Sequence, residues 1–249
     1  MRVQQQPAYV LLGRPFSESS LICELFTKSH GRQAVLAKGA RRQKSAFRGL
    51  LLPFTPLSVS WSGKNELTTL TAVETEPNLF FGWQSELRGR ALICGFYCNE
   101  LLASVLQRGD PHLKLFDAYH GTIAALAMCA EQSDTEGRLF EILRGFELAL
   151  IRESGYGIDL SLDAASQHPI ESNQWYQYIA GRGFVPAAAQ HAGQDLVFSG
   201  RVLQALNQRQ HQHTPLEERH QAKRLVRIIL AEIVGAKRIV SRDLFYPTG

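Results

Sequence analysis

Apolar and polar positions alternate in short blocks through the first 75 residues, then recur at helical spacing. "AYVLLG" (8–13), "SLICELFT" (20–27) and "GRQAVLAKG" (31–39) are short runs rich in β-branched and aromatic residues, split by Pro, Ser and Gly. "LLLPFTPLSVSW" (50–61) and "ELTTLTAVE" (66–74) follow, with the turn signal "SGKN" (62–65) between them. Such runs predict strands, and Pro53 and Pro56 predict a bent or edge segment in the fourth. Five short strands in this length suit a small barrel or sandwich. With a basic loop among them they fit an OB-fold, with an SH3-like barrel as the competitor.

Near Pro77 the period changes. Leu87, Ala91, Cys94, Cys98, Leu101, Leu102 and Val105 fall on one helical face within 84–107. A second helix is predicted over 111–131, with Asp110 as N-cap and Pro111 in the first turn. A third covers 136–155 and ends at Gly155; Leu139, Ile142, Leu143, Phe146, Leu150 and Ile151 share its apolar face. Three helices with short links predict a bundle. The pattern weakens over 156–198, where 174–186 reads as a short hairpin. It turns helical again over 199–208 and over 215–235, where Leu225, Ile228, Ile229, Glu232 and Ile233 keep helical spacing. The fold class predicted is α+β: a five-stranded OB-fold barrel (1–80), then an α-helical domain (81–249) with an irregular, cysteine-free insertion at about 156–198. The boundary is placed near 77–84.

Composition supports a folded chain, at 45% hydrophobic and 20% charged over 249 residues. Cys23, Cys94, Cys98 and Cys129 form no Cys-x-x-Cys pair and read as buried thiols of a reducing compartment. No cationic-then-apolar leader opens the chain and no apolar run reaches membrane-spanning length, which predicts a soluble, cytoplasmic protein. Catalytic motifs are missing: there is no Gly-x-Ser-x-Gly elbow and no phosphate-binding Gly-x-x-x-x-Gly-Lys loop. His211, His213 and His220 match no zinc spacing, and His168 and His191 are isolated. Carboxylates such as Glu147 near Arg144 and Glu153 near Arg152 read as surface pairs. The expectation is a protein that is not an enzyme, with no cofactor and no metal.

Charge changes the picture. Net charge is only +4, yet no Asp or Glu lies between Glu24 and Glu66. "LAKGARRQKSAFRG" (36–49) packs Lys38, Arg41, Arg42, Lys44 and Arg48 into fourteen positions. Like charges without counter-charges repel, and a polyanion relieves the repulsion. Aromatic candidates Phe16, Phe47, Phe54 and Trp61 lie nearby, and bases stack on aromatic rings while Lys and Arg track the backbone. The phosphate contacts predicted are Arg14, Arg32, Lys38, Arg41, Arg42, Lys44 and Arg48. A second basic stretch, Arg219, Lys223, Arg224 and Arg227 with Lys237 and Arg238, extends the track or offsets neighbouring acids. The residues alone leave DNA, RNA and an acidic protein partner open.

"AYVLLGRPFSESSLICELFTKSHGRQAVLAKGARR" followed by "LLLPFTPLSVSW" resembles the N-terminal domain of the RecO recombination mediators. "YCNELL" (97–102), "RGFELALIRESGYG" (144–157) and "SRDLF" (241–245) resemble landmarks of the same family, in order, across nearly the whole chain. The resemblance implies an OB-fold with a helical C-terminal domain, and binding and annealing of single- and double-stranded DNA. It also implies partnership with RecR and with the acidic C-terminal tail of single-stranded-DNA-binding protein, and through them help in loading RecA. Arg144 matches a position that the family keeps as Arg for that tail, with Leu143 and Phe146, or the "NELL" helix, as pocket walls. Many members carry a four-cysteine zinc module after the third long helix. Here 156–198 holds no cysteine, so this segment is predicted to be metal-free and held by packing through Trp175, Tyr176, Tyr178 and Phe184.

Overall fold

The computed structural model describes residues 2–76, 87–129, 135–156, 158–208 and 215–241. The boundary expected near 77–84, and His211 and His213, lie outside them. β1 (Arg2–Phe16), β2 (Ser20–Thr27), β3 (Gly31–Ala37), β4 (Leu57–Ser62) and β5 (Leu67–Thr75) close into a barrel in the order β1-β2-β3-β5-β4. β1 closes it because its 15 residues pair with β4 at one end and β2 at the other. A strand that serves two neighbours must bend, and β1 does so at register shifts between Val3 and Gln6 and between Val10 and Leu12. Pairing is antiparallel except between β3 and β5. This is the OB-fold arrangement rather than an SH3-like one.

The fourth strand is shorter than the sequence predicts. Residues 50–56 form turns and an isolated bridge between Val10 and Pro53, and the ladder begins only at Leu57. Pro53 and Pro56 have no N–H to give a ladder, and Phe54 sits at φ 69°. Within β4, Leu57, Val59 and Trp61 point into the barrel and alternate with three half-exposed serines. Val10, Cys23, Leu25, Val35 and Leu70 join them in the interior. Burial pushes the Cys23 thiol up to about 11.

β1 over 8–11 and most of β2 are buried on both faces, which explains their continuous apolar runs. Their outer face meets α1 (Gly89–Val105) and α2 (Leu113–Cys129). Tyr9 and Phe26 stack at 5.0–6.0 Å against Phe116 and Tyr119 of α2. Tyr9 also hydrogen-bonds His120 Nδ1 at 2.6 Å, and burial lowers the histidine's affinity for a proton. α2 begins after His112, so Asp110 is not its N-cap. Asp110 instead meets the β2–β3 turn: a Cβ on Gly31 would lie 1.9 Å from its carbonyl oxygen. No side chain fits there, and Gly31 also needs φ 62°.

The chain divides into two compact units, Met1–Leu139 with Arg238–Gly249, and Phe140–Lys237. The division falls within α3 (Thr135–Glu153), while α1 and α2 stay with the barrel. The second unit contains β6 (Trp175–Ile179), β7 (Gly183–Ala187), β8 (Val197–Ser199), α4 (Gly200–Gln208) and α5 (Leu216–Val234). The sheet order is β7-β6-β8, and β6–β7 is the hairpin predicted at 174–186. Tyr176, Tyr178, Phe184 and Phe198 are buried, while Trp175 is half-buried. The Tyr178 hydroxyl donates to Glu232 of α5 at 2.9 Å. Arg224 of α5 lies 5.0 Å from the Phe198 ring and donates to the carbonyls of Gln194 and Val197. The core stripe of α5 is Ala222, Leu225, Val226, Ile229, Leu230 and Val234.

Candidate nucleic-acid interface

The basic loop is a chain of tight turns. The amides of Ala40, Arg42, Ser45, Arg48 and Leu50 each bond a carbonyl three residues back. Its inner face closes the end of the barrel, where Phe47, Leu50 and Leu51 pack on the core beside Leu21. With its apolar side chains turned inward, the loop leaves Lys38, Arg41, Arg42, Lys44 and Arg48 exposed. Among the described residues, no carboxylate pairs with any of the five.

Backbone contacts fix how two of these cations stand. Arg41 donates through its amide to the Ser19 carbonyl at 2.9 Å and through Nη1 to the Ser17 carbonyl at 3.1 Å. The loop is thereby tied to the β1–β2 turn, whose tip carries Phe16 at 47% exposure. Arg48 donates through Nη1 to Gln43 at 3.0 Å. Between these elements runs a groove of about 380 Å³. Arg41, Arg42 and Arg48 rim it, and Leu21, Phe47 and Leu51 line it. Leu52, 55% exposed, forms one wall. No acid is among the lining residues.

The other predicted contacts are distributed differently. Arg14 is exposed and lines a separate hollow of about 120 Å³ with Leu12, Ile22, Glu24 and Arg108. Arg32 is half-buried: its guanidinium donates to the Ala103 carbonyl and lies 3.9 Å from Glu24, which also pairs with Arg108. Burial lowers its pKa, with Glu24 opposing the shift. That side chain is engaged within the fold.

Of the four aromatic candidates, only Phe16 is open. Trp61 is 1% exposed inside the barrel, edge-on to His30 at 5.3 Å. Phe54 packs edge-on against Phe96 at 5.1 Å, and Phe47 is half-buried under the loop. A closed barrel this small needs its aromatics inside. The groove's leucines are lining residues that the sequence reading did not single out. Their signal was "LLLP" at 50–53, an apolar run that the prolines bar from a ladder.

In the second unit, α5 presents Arg227 to solvent, with Arg219 and Lys223 half-buried and Arg224 held by the sheet. Lys237 and Arg238 are exposed. Arg144 is 5% exposed and pairs at 2.5 Å with Glu147, which is fully buried. The pair is therefore internal, not the surface pair that the sequence predicts. Positions 143, 146 and 150 share the core stripe of α3, and Leu143 and Phe146 are buried with it. Arg144 stands 5.4 Å from the Phe140 ring, and its Nε and Nη1 are buried without a hydrogen-bond acceptor among the described residues.

Among the described residues, no three His, Cys, Asp or Glu side chains cluster as a metal site, and no helix is long and apolar enough to cross a membrane. All four cysteines are buried, and none forms a disulfide.

Glu18 sits at the tip of the β1–β2 turn, between the two serines that hold Arg41. Its carboxylate opposes any polyanion approaching that rim. Glu18→Gln is expected to tighten oligonucleotide binding by about threefold at low salt, checked by fluorescence anisotropy.

Comparison with known families agrees with this architecture. The family model for the N-terminal region of recombination protein O matches residues 1–78, and the model for its C-terminal region matches residues 87–243. The DNA repair protein RecO of Aromatoleum aromaticum is 41% identical over 241 residues, covering 97% of this chain and 94% of its own length. The protein of the same name from Coxiella burnetii is 40% identical over 247 residues, covering 98% of this chain and 99% of its own. That of Nitrosospira multiformis is 40% identical over 243 residues, covering 98% and 95%.

Proposed function

Because this chain belongs to the RecO family, we propose that it is a DNA-binding recombination mediator acting in repair. It binds and anneals DNA and, with RecR, helps load RecA onto single strands coated by single-stranded-DNA-binding protein. The observation that carries the DNA surface is the loop at 38–48: five exposed cations, no paired carboxylate, and a groove that three of them rim. Lys38, Arg41, Arg42, Lys44 and Arg48 contact phosphates, with Arg14 reached across the β1–β2 hairpin. Neutralising phosphates lowers the repulsion between two strands, so complementary strands can approach and pair. No bond to a substrate is made or broken in that role.

The test is fluorescence anisotropy of a labelled single-stranded oligonucleotide across a salt series. The logarithm of the association constant should fall linearly with the logarithm of salt, at about −0.7 for each phosphate neutralised on a single strand. Absence of binding even at low salt would remove the reading and leave a protein adaptor.

The tail of single-stranded-DNA-binding protein is assigned to Arg144. Support comes from two of its guanidinium nitrogens, Nε and Nη1, which bond no acceptor among the described residues and so keep donors for a carboxylate. Leu143 and Phe146 are buried, so they support Arg144 from within rather than wall an open pocket. Arg144→Lys keeps the charge beside Glu147 but loses the guanidinium's unpartnered donors. It is expected to weaken binding of an acidic tail peptide by about tenfold while oligonucleotide affinity stays within about twofold. Equal loss of both would remove the assignment.

A further inference from the structure

Phosphates alone do not explain the groove. A surface built only to hold a charged backbone has no need of Leu21, Phe47, Leu51 and an exposed Leu52 beneath its arginines. The groove has an apolar floor, a cationic rim, no acid among its lining residues, and about 380 Å³ of space, within the range of small-ligand sites. An occupant that joins an apolar body to flanking negative charges fits this lining. A nucleotide of a single strand has that chemistry.

Resting on the DNA-binding reading above, we infer that the groove takes one unstacked nucleobase, with Arg41, Arg42 and Arg48 on the phosphates at either side. A base in a duplex keeps its faces stacked and its edge paired. It cannot reach the floor without flipping, which costs a few kcal/mol. Duplex DNA consequently meets the rim alone, while a single strand meets rim and floor. The groove adds a preference for single strands to a charge surface that cannot itself tell the two apart. The tight turns and the Arg41 contacts to Ser17 and Ser19 hold the rim in place before the strand arrives.

Leu52→Ser tests this without threatening the fold, because the side chain is 55% exposed. The full-length protein is titrated with four probes: a thymidine oligonucleotide, an abasic strand with the same number of phosphates, a duplex, and an acidic, aromatic-containing peptide. The wild type should bind the thymidine strand about tenfold more tightly than the abasic one. Leu52→Ser should erase that preference and leave abasic-strand and duplex affinities within about twofold of wild type. Equal binding of the thymidine and abasic strands by wild type, or a preference untouched by the substitution, would overturn the inference and leave the phosphate surface standing. Binding of none of the nucleic-acid probes would overturn the DNA reading as well. If Leu52→Ser instead abolished binding of an acidic, aromatic-containing peptide while oligonucleotide binding was unchanged, the groove would belong to a protein partner and the inference would be wrong.

Discussion

Replacing Arg41, Arg42 and Lys44 together by Glu should lower affinity for a single-stranded oligonucleotide by about a hundredfold or more at about 0.1 M salt. The magnitude follows from counterion release. Three phosphate contacts on a single strand contribute about 2.1 to the salt slope at about 0.7 each, and loss of them flattens the line by that amount. Reversal rather than removal adds repulsion of the phosphates by three new carboxylates, so the loss exceeds the slope arithmetic. All three side chains are exposed, and only Arg41 holds a described hydrogen bond through its guanidinium. Stability should therefore change by about 1 kcal/mol or less. A thermal melt that stays near wild type separates lost binding from lost folding.

The largest expected effect on stability lies at the junction of barrel and helices. β1 skips a residue between Val10 and Leu12, and a bulge leaves backbone groups without a ladder partner. Asn99 of α1, 3% exposed, supplies one: its Nδ2 donates to the Leu11 carbonyl at 3.0 Å and more distantly to Val10 at 3.4 Å. Its Oδ1 accepts from the buried Tyr119 hydroxyl of α2 at 2.6 Å. One amide thus serves the strand and both helices. Asn99→Leu keeps the number of side-chain heavy atoms but strips the Leu11 carbonyl and the Tyr119 hydroxyl of this partner. The expected cost is about 3 kcal/mol, read as a lower urea midpoint at unchanged slope. A cost under about 1 kcal/mol would mean that the bulge finds other partners.

Much of this architecture is legible in the sequence because period 2 and period 3.6 are written plainly. β2, β3, β5, α1, α3 and α5 all lie close to their predicted spans. β4 was overextended because apolar content alone does not distinguish a strand from a loop that plugs a barrel. The prolines at 53 and 56 carried that distinction. Trp61 was readable as interior from its alternation with Ser58, Ser60 and Ser62, yet aromatic type drew it toward the binding surface.

The site was legible as charge but not as shape. An acid-free run of cations is visible in one dimension. The neighbours that decide which cation is available are not. Arg32 is taken up by Glu24 and the Ala103 carbonyl, the latter 71 residues away. Arg41 is oriented by a turn 24 residues earlier. Arg144 and Glu147 are adjacent on a helix, and only the packing of α3 shows that the pair is internal. The groove itself exists only where the β1–β2 hairpin, the basic loop and "LLLP" meet.

The measurement that tests the DNA surface most directly is photocrosslinking of the full-length protein to a halogenated single-stranded oligonucleotide, with adducts mapped by peptide mass. Adducts are predicted within 38–52 and at the β1–β2 turn, 15–21. Adducts confined to α5 around 219–227, with none in the loop, would contradict it and move the DNA surface to the second unit.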